Sequence, residues 1–141
     1  MHFHPWRAIR AKRDITVQWT RLDGRLGHWC ARTRTITLDP RQSQAERRCT
    51  ATHELIHAEL EHHGCQDEAT ELAVHKEAAR RLIPLHPLGE ALAWGAGHDD
   101  EDVADELWVD VDTLRTRLAH LHPAERGYLR ARMARRDEDA A

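Results

Sequence analysis

Early in the chain apolar residues recur at every second position, and after residue 40 their spacing shifts to three and four. Pro5 opens a short segment read as a helix over residues 5–13. Ile15, Val17 and Trp19 then alternate with Thr16, Gln18 and Thr20, the pattern of a strand with one buried face. Asp23-Gly24 is a hairpin signal, residues 25–31 can return, and Thr35-Ile36-Thr37-Leu38 alternates again before Asp39-Pro40 closes the strand. The expectation is a small antiparallel β-sheet.

Beyond it the period is helical. A helix over 44–63, stopped by Gly64, places Leu55, Ile56 and Leu60 in an apolar stripe. A second over 67–83 carries Ala69, Leu72, Lys76, Ala79 and Ile83 at helical spacing and ends at Pro84. Four more are expected over 87–94, 101–107, 112–121 and 123–135, with Gly95-Ala96-Gly97 as a break. A sheet followed by helices defines an α+β fold, with a core over 1–97 and a C-terminal helical subdomain over 98–141.

The first long helix contains His53-Glu54-Leu55-Ile56-His57, an HExxH pattern. Residues four apart share a helix face, so the two imidazoles can converge on one zinc ion while Glu54 acts as general base on a water. The chain holds 12 His, so a solvated face bearing two of them is the plain alternative. The adjoining apolar stripe favours a half-buried, metal-bearing helix instead. A catalytic zinc needs a third protein ligand. Glu68, Glu71 and His75 lie along one face of the next helix, and antiparallel packing across the Gly64 turn would aim one carboxylate at the metal. Glu71 is the preferred ligand and Glu68 the alternative, although either alone reads as an ordinary surface carboxylate.

Composition is that of one globular domain, with 40% hydrophobic and 32% charged residues. A net charge of −3 gives no electrostatic case for wholesale nucleic-acid binding. No apolar run approaches a membrane span, and the segment from Met1 to Arg7 lacks the apolar region of a leader, which points to the cytoplasm. Cys30, Cys49 and Cys65 form an odd set without paired spacing, which favours free thiols. Cys65 adjoins His62 and His63, but no CxxC accompanies them, and Cys49 reads as a small buried residue.

The segment from Glu71 to Pro84, ELAVHKEAARRLIP, resembles the second signature of the ImmA/IrrE zinc metallopeptidases, a gluzincin-like family. Arg47-Arg48-Cys49-Thr50-Ala51-Thr52 resembles the family's lead-in to the metal helix, and the likeness covers roughly residues 33 to 122. It implies that His53, His57 and Glu71 hold Zn2+, that Glu54 is the general base, and that the first 97 residues form a zincin-like core. His75 stands where the family carries Asn or Asp, so it becomes a candidate to orient a ligand imidazole or to act as an extra ligand. Glu77 stands where an aromatic is common. The family further implies an endopeptidase that cleaves or inactivates a helix-turn-helix repressor in a phage or other mobile element. His28, His62, His63 and Tyr128 are open choices for stabilising the oxyanion.

Residues 103–118 resemble a helix-turn-helix unit, with Trp108 where the turn usually has glycine. Positive φ is costly for Trp, and Asp99, Asp100, Glu101, Asp102, Asp105 and Glu106 would meet phosphates. Both points argue against DNA contact and for a bracing subdomain. Five arginines between 126 and 136, followed by Asp137-Glu138-Asp139, read as a solvated helix face. The competing function is a regulatory protein that binds a repressor or DNA through these helices, with zinc kept for structure.

Overall fold

The computed structural model describes residues 3–141; Met1 and His2, the start of the segment considered above as a leader, lie outside the described residues. Helix α1 (Pro5–Ala11) precedes strands β1 (Thr16–Trp19), β2 (Gly27–Cys30) and β3 (Thr35–Leu38). Helices α2 (Gln44–Glu59), α3 (Glu68–Leu82), α4 (Leu85–Trp94), α5 (Asp100–Glu106), α6 (Val111–Ala119) and α7 (Pro123–Ala140) follow. The architecture is α+β with a helical C-terminal region. Among the described residues, no helix is long and apolar enough to cross a membrane.

The strand order is β1-β3-β2, and β1 pairs parallel to β3 while β2 pairs antiparallel to it. The sheet is therefore mixed, which corrects the antiparallel expectation and the Asp23-Gly24 hairpin. Gly24 does turn the chain, with φ 74, but other groups hold the segment around it. Asp39 accepts from the Leu22 N–H at 2.9 Å, Arg41 donates to the Leu22 carbonyl at 3.0 Å, and the Gln42 amide donates to the Leu26 carbonyl at 3.0 Å. These long-range bonds replace a hairpin ladder and leave room for β3 in the middle. Asp39 is 1% exposed, and the Arg41 guanidinium with two backbone N–H groups holds its carboxyl far below the usual range.

Helix α2 starts at a capping box, in which Ser43 accepts from the Glu46 N–H and the Glu46 carboxylate accepts from the Ser43 N–H. Its Ala51, Leu55 and Ala58 pack with Trp29, Ile36 and Leu38 from the sheet. Burying a side chain such as Leu55 stabilises by about 1.5–3 kcal/mol, so this interface fixes the helix on the strands. The helix stops at Glu59 rather than at 63. Glu61 adopts φ 55, its N–H bonds to the Ala58 carbonyl at 3.1 Å, and the His62 N–H bonds to the His57 carbonyl at 3.0 Å. That is a Schellman ending with Glu in the position glycine favours. Leu60, counted in the buried stripe from sequence, is 58% exposed because it caps the helix.

Helix α3 is capped by Asp67, which accepts from the Thr70 N–H at 2.7 Å. It buries Val74, Ala78, Ala79 and Leu82, and Ile83 follows in the core. Leu72, expected in the stripe, is 43% exposed. The buried face is set by Ile56 of α2, which clusters with Val74 and Ala78. His53 meets Glu71, and Glu59 meets Arg81 at 2.8 Å, so the paired positions ascend together along both helices. This is not the antiparallel register expected across Gly64. The loop 60–67 instead carries the chain back along α2.

A second apolar cluster joins Cys49, Leu82, Ile83 and Leu88 to Val103, Val109, Leu114 and Leu129, and so runs across position 97. Beneath it Arg117, 3% exposed, donates from Nη1 to Glu125 at 3.1 Å and from Nε to the Ile83 carbonyl at 2.9 Å, with Nη2 also bonded to Glu125. Trp108 has φ 57 between α5 and α6, contrary to the sequence expectation that Trp would avoid it. Arg48 of α2 donates to its carbonyl and lies 5.8 Å over its ring. Those contacts offset the steric cost of positive φ in a residue that is otherwise 67% exposed.

Candidate functional site

One turn of α2 separates His53 from His57, and the α2–α3 packing brings Glu71 against both. His53 Nε2 lies 3.1 Å from His57 Nε2 and 3.0 Å from Glu71 Oε2, and His57 Nε2 lies 3.2 Å from Glu71 Oε1. Ligands about 2.0–2.1 Å from a tetrahedral zinc stand roughly 3.3 Å from one another. The three donors therefore already sit at the edges of such a polyhedron, and they are the group of His, Cys, Asp or Glu residues able to hold a metal ion among the described residues. Burial lowers the pKa of both imidazoles, and proximity to each other or to a further histidine adds to it, against the pull of Glu71. The neutral form that this favours is the one that binds metal.

Glu54 lines the same cleft as that trio, with its side chain against Gly27 of β2. It is 8% exposed, and burial, then the Glu71 charge, push its pKa up to about 7, against Arg25 and the Trp29 backbone N–H, which favour the charged form. A carboxylate poised there can both take and return a proton near neutral pH. Gly27 makes this placement possible. A Cβ on it would lie 3.1 Å from Glu54 Cγ and 2.5 Å from Thr50 Cγ2, so any side chain would press on the glutamate.

These groups open into a cleft of about 780 Å3, whose walls include Gly27 and His28 of β2, His62 and Cys65 of the loop after α2, and Asp112 of α6. Of the four residues considered for the oxyanion, His28 and His62 reach this cleft. His28 accepts at Nδ1 from Arg25 at 3.0 Å. Tyr128 lies elsewhere, 3.1 Å from His86 Nδ1, and His63 is not part of the cleft wall. Glu68, the alternative ligand, is exposed at the start of α3. His75 lines the cleft with its ring centroid 6.1 Å from that of His53, and its Nε2 faces Asp112 Oδ2 at 3.0 Å. It stands outside the converging trio.

Cys30, Cys49 and Cys65 are all free thiols. Burial raises the Cys49 pKa to about 11, and its Sγ accepts from the Asp110 N–H at 3.4 Å. That thiol is a packing group. Sequence reasoning missed Gly27, Arg25, His62 in its observed place, and Asp112. Each acts on the site from a segment distant in sequence or from an irregular turn, where periodicity carries no signal.

A neutral pair of imidazoles, a carboxylate from a neighbouring helix and a buried acid beside an open cleft are the working parts of a metallopeptidase. The family model for the IrrE N-terminal-like domain, Peptidase M78, matches residues 12–119, and the chain belongs to that family. The match spans both signature helices and reaches the end of α6, so the first part of the C-terminal region lies within the family's shared unit. No curated protein shows a significant match to the chain.

Proposed function

We propose that this protein is a zinc-dependent endopeptidase whose substrate is a helix-turn-helix repressor of a phage or other mobile element. His53, His57 and Glu71 hold the ion, and Glu54 is the general base. The reading is carried by one observation, the three donor atoms drawn from two helices to tetrahedral spacing with buried Glu54 beside them. Zinc held there supplies Lewis acidity and lowers the pKa of a bound water to about 7. With the ion in place, Glu54 would take a proton from the attacking water and return it to the departing nitrogen.

A protein substrate fits the surroundings better than DNA. β2 is an edge strand that borders the cleft, so an extended peptide can add to it and bring its carbonyl to the site. The start of α6, which a helix-turn-helix protein would insert into a DNA groove, instead supplies Asp110, Asp112 and Thr113 to the cleft wall. α5 opens with Asp100, Glu101 and Asp102, which would repel phosphates. Such a repressor works in the cytoplasm, where this reading places the enzyme.

The test is to mix the purified protein, zinc and the repressor encoded beside it, and to follow the repressor by mass spectrometry. Cleavage in a flexible linker, lost with Glu54→Gln, is the expected result. An intact repressor held in a stable complex would favour a non-catalytic regulator with structural zinc. A specific operator shifted by this protein alone at physiological salt would favour DNA binding.

A further inference from the structure

We propose that His62 is the residue that orients His57 as a metal ligand, by accepting a hydrogen bond from the His57 ring, and that the turn at Glu61 delivers it there. The inference rests on the reading of His53, His57 and Glu71 as a metal site. His57 turns Nε2 toward His53 and Glu71, at 3.1 and 3.2 Å. A neutral imidazole that binds metal through Nε2 carries its proton on Nδ1, and that N–H needs an acceptor to fix the tautomer and the ring plane. The His57 Nδ1 lies 2.8 Å from His62 Nδ1, and the rings meet edge to face with centroids 5.1 Å apart. Two nitrogens at that distance must be one donor and one acceptor. With the His57 proton on Nδ1, His62 accepts, and its own proton resides on Nε2.

The backbone is built to hold His62 in this position. α2 ends two residues after His57, at Glu59, and Glu61 takes the left-handed conformation that folds the chain back. The His62 N–H then bonds to the His57 carbonyl at 3.0 Å, so the two residues are joined through the main chain as well as through their rings. From the opposite side the Trp29 indole N–H donates to the His62 carbonyl at 3.2 Å, tying the turn to β2. His53 shows no such partner among the described residues: its hydrogen bonds all use Nε2, and His75 nearby faces Asp112. Support for the ligand set is concentrated on His57.

The experiment measures zinc affinity by chelator competition for the wild type, His62→Ala, His62→Asn and Glu71→Ala, with circular dichroism and melting of each metal-free protein. Loss of such a partner weakens metal binding by about 10–100-fold, and that is the expected result for His62→Ala. Asn places an oxygen close to where Nδ1 sits in histidine, so His62→Asn should recover most of the affinity. A merely structural role would move the melting temperature and leave Asn no better than Ala. Wild-type affinity in His62→Ala, or equal weakening in both His62 variants, overturns the proposal. If His62→Ala does not fold, His62→Asn against His62→Gln decides it, since Gln carries its oxygen one bond further out and should not rescue. A wild type that binds no zinc overturns the metal site itself, whereas strong zinc binding lost in Glu71→Ala but kept in His62→Ala overturns this inference alone.

Discussion

Gly27 on β2 and Thr50 on α2 meet with no room for a side chain between them: a Cβ on Gly27 would lie 2.5 Å from Thr50 Cγ2. Overpacking at such a contact costs about 1–3 kcal/mol, and Gly27→Ala is expected to lose that much stability in urea unfolding. Thr50→Ser removes the colliding methyl while keeping the hydroxyl that bonds to Gln42 Oε1 at 2.6 Å. The double variant should therefore recover most of the loss, a coupling that independent sites would not show. A double variant as unstable as Gly27→Ala would place the strain elsewhere.

Acid should weaken the protein through Glu125. Its hydrogen bonds to Arg117, helped by the His122 N–H, lower its pKa from 4.5 to about 2. A depressed carboxylate contributes stability that is fully present above its unfolded pKa and lost as pH falls toward the folded one. Glu125→Gln should cost about 1.5–3 kcal/mol at neutral pH, the worth of a hydrogen bond to a charged group. The gap between wild type and variant should close as pH drops from about 4.5 to about 2. Urea midpoints across that range check it, and a gap independent of pH would show that the ion pair does not titrate with folding.

Glu61 is held at φ 55 in a position where glycine is at ease. Glu61→Gly should raise stability by up to about 1 kcal/mol, and Glu61→Val should lower it by more. Thermal melts of the metal-free proteins would show the order Gly, Glu, Val. Any other order would mean that contacts of the Glu61 side chain outweigh its backbone strain.

Glu54→Gln keeps the shape of the side chain and removes its basicity. Hydrolysis of the repressor should fall by about 10²–10⁴-fold, the usual contribution of a positioned general base. Zinc content and melting temperature should stay near those of the wild type. Cleavage at the wild-type rate would exclude the role.

The convergence of His53, His57 and Glu71 was legible because a helix of this length obeys one period: His53 and His57 share a face whatever surrounds them, and Glu71 follows from a resemblance in the next helix. The sheet was legible as strands and not as pairing. Alternation shows which face is buried, whereas the bonds from Asp39, Arg41 and Gln42 to the 22–26 segment decide the neighbours. The end of α2 was misplaced because Gly64 is the obvious stop, while Glu61 makes the turn three residues earlier with no glycine to announce it. His62 was consequently read as the tail of a helix, although the turn folds it back onto His57. Trp108 was likewise taken as an obstacle to a turn that Arg48, sixty residues away in sequence, holds in place.

Metal analysis of five purified proteins tests the central claim most directly. The wild type and Glu68→Ala should each carry close to one zinc per chain, and His53→Ala, His57→Ala and Glu71→Ala should each lose most of it, since a two-ligand site binds weakly. Full zinc retention in Glu71→Ala would contradict the account and move the third ligand to another residue of α3.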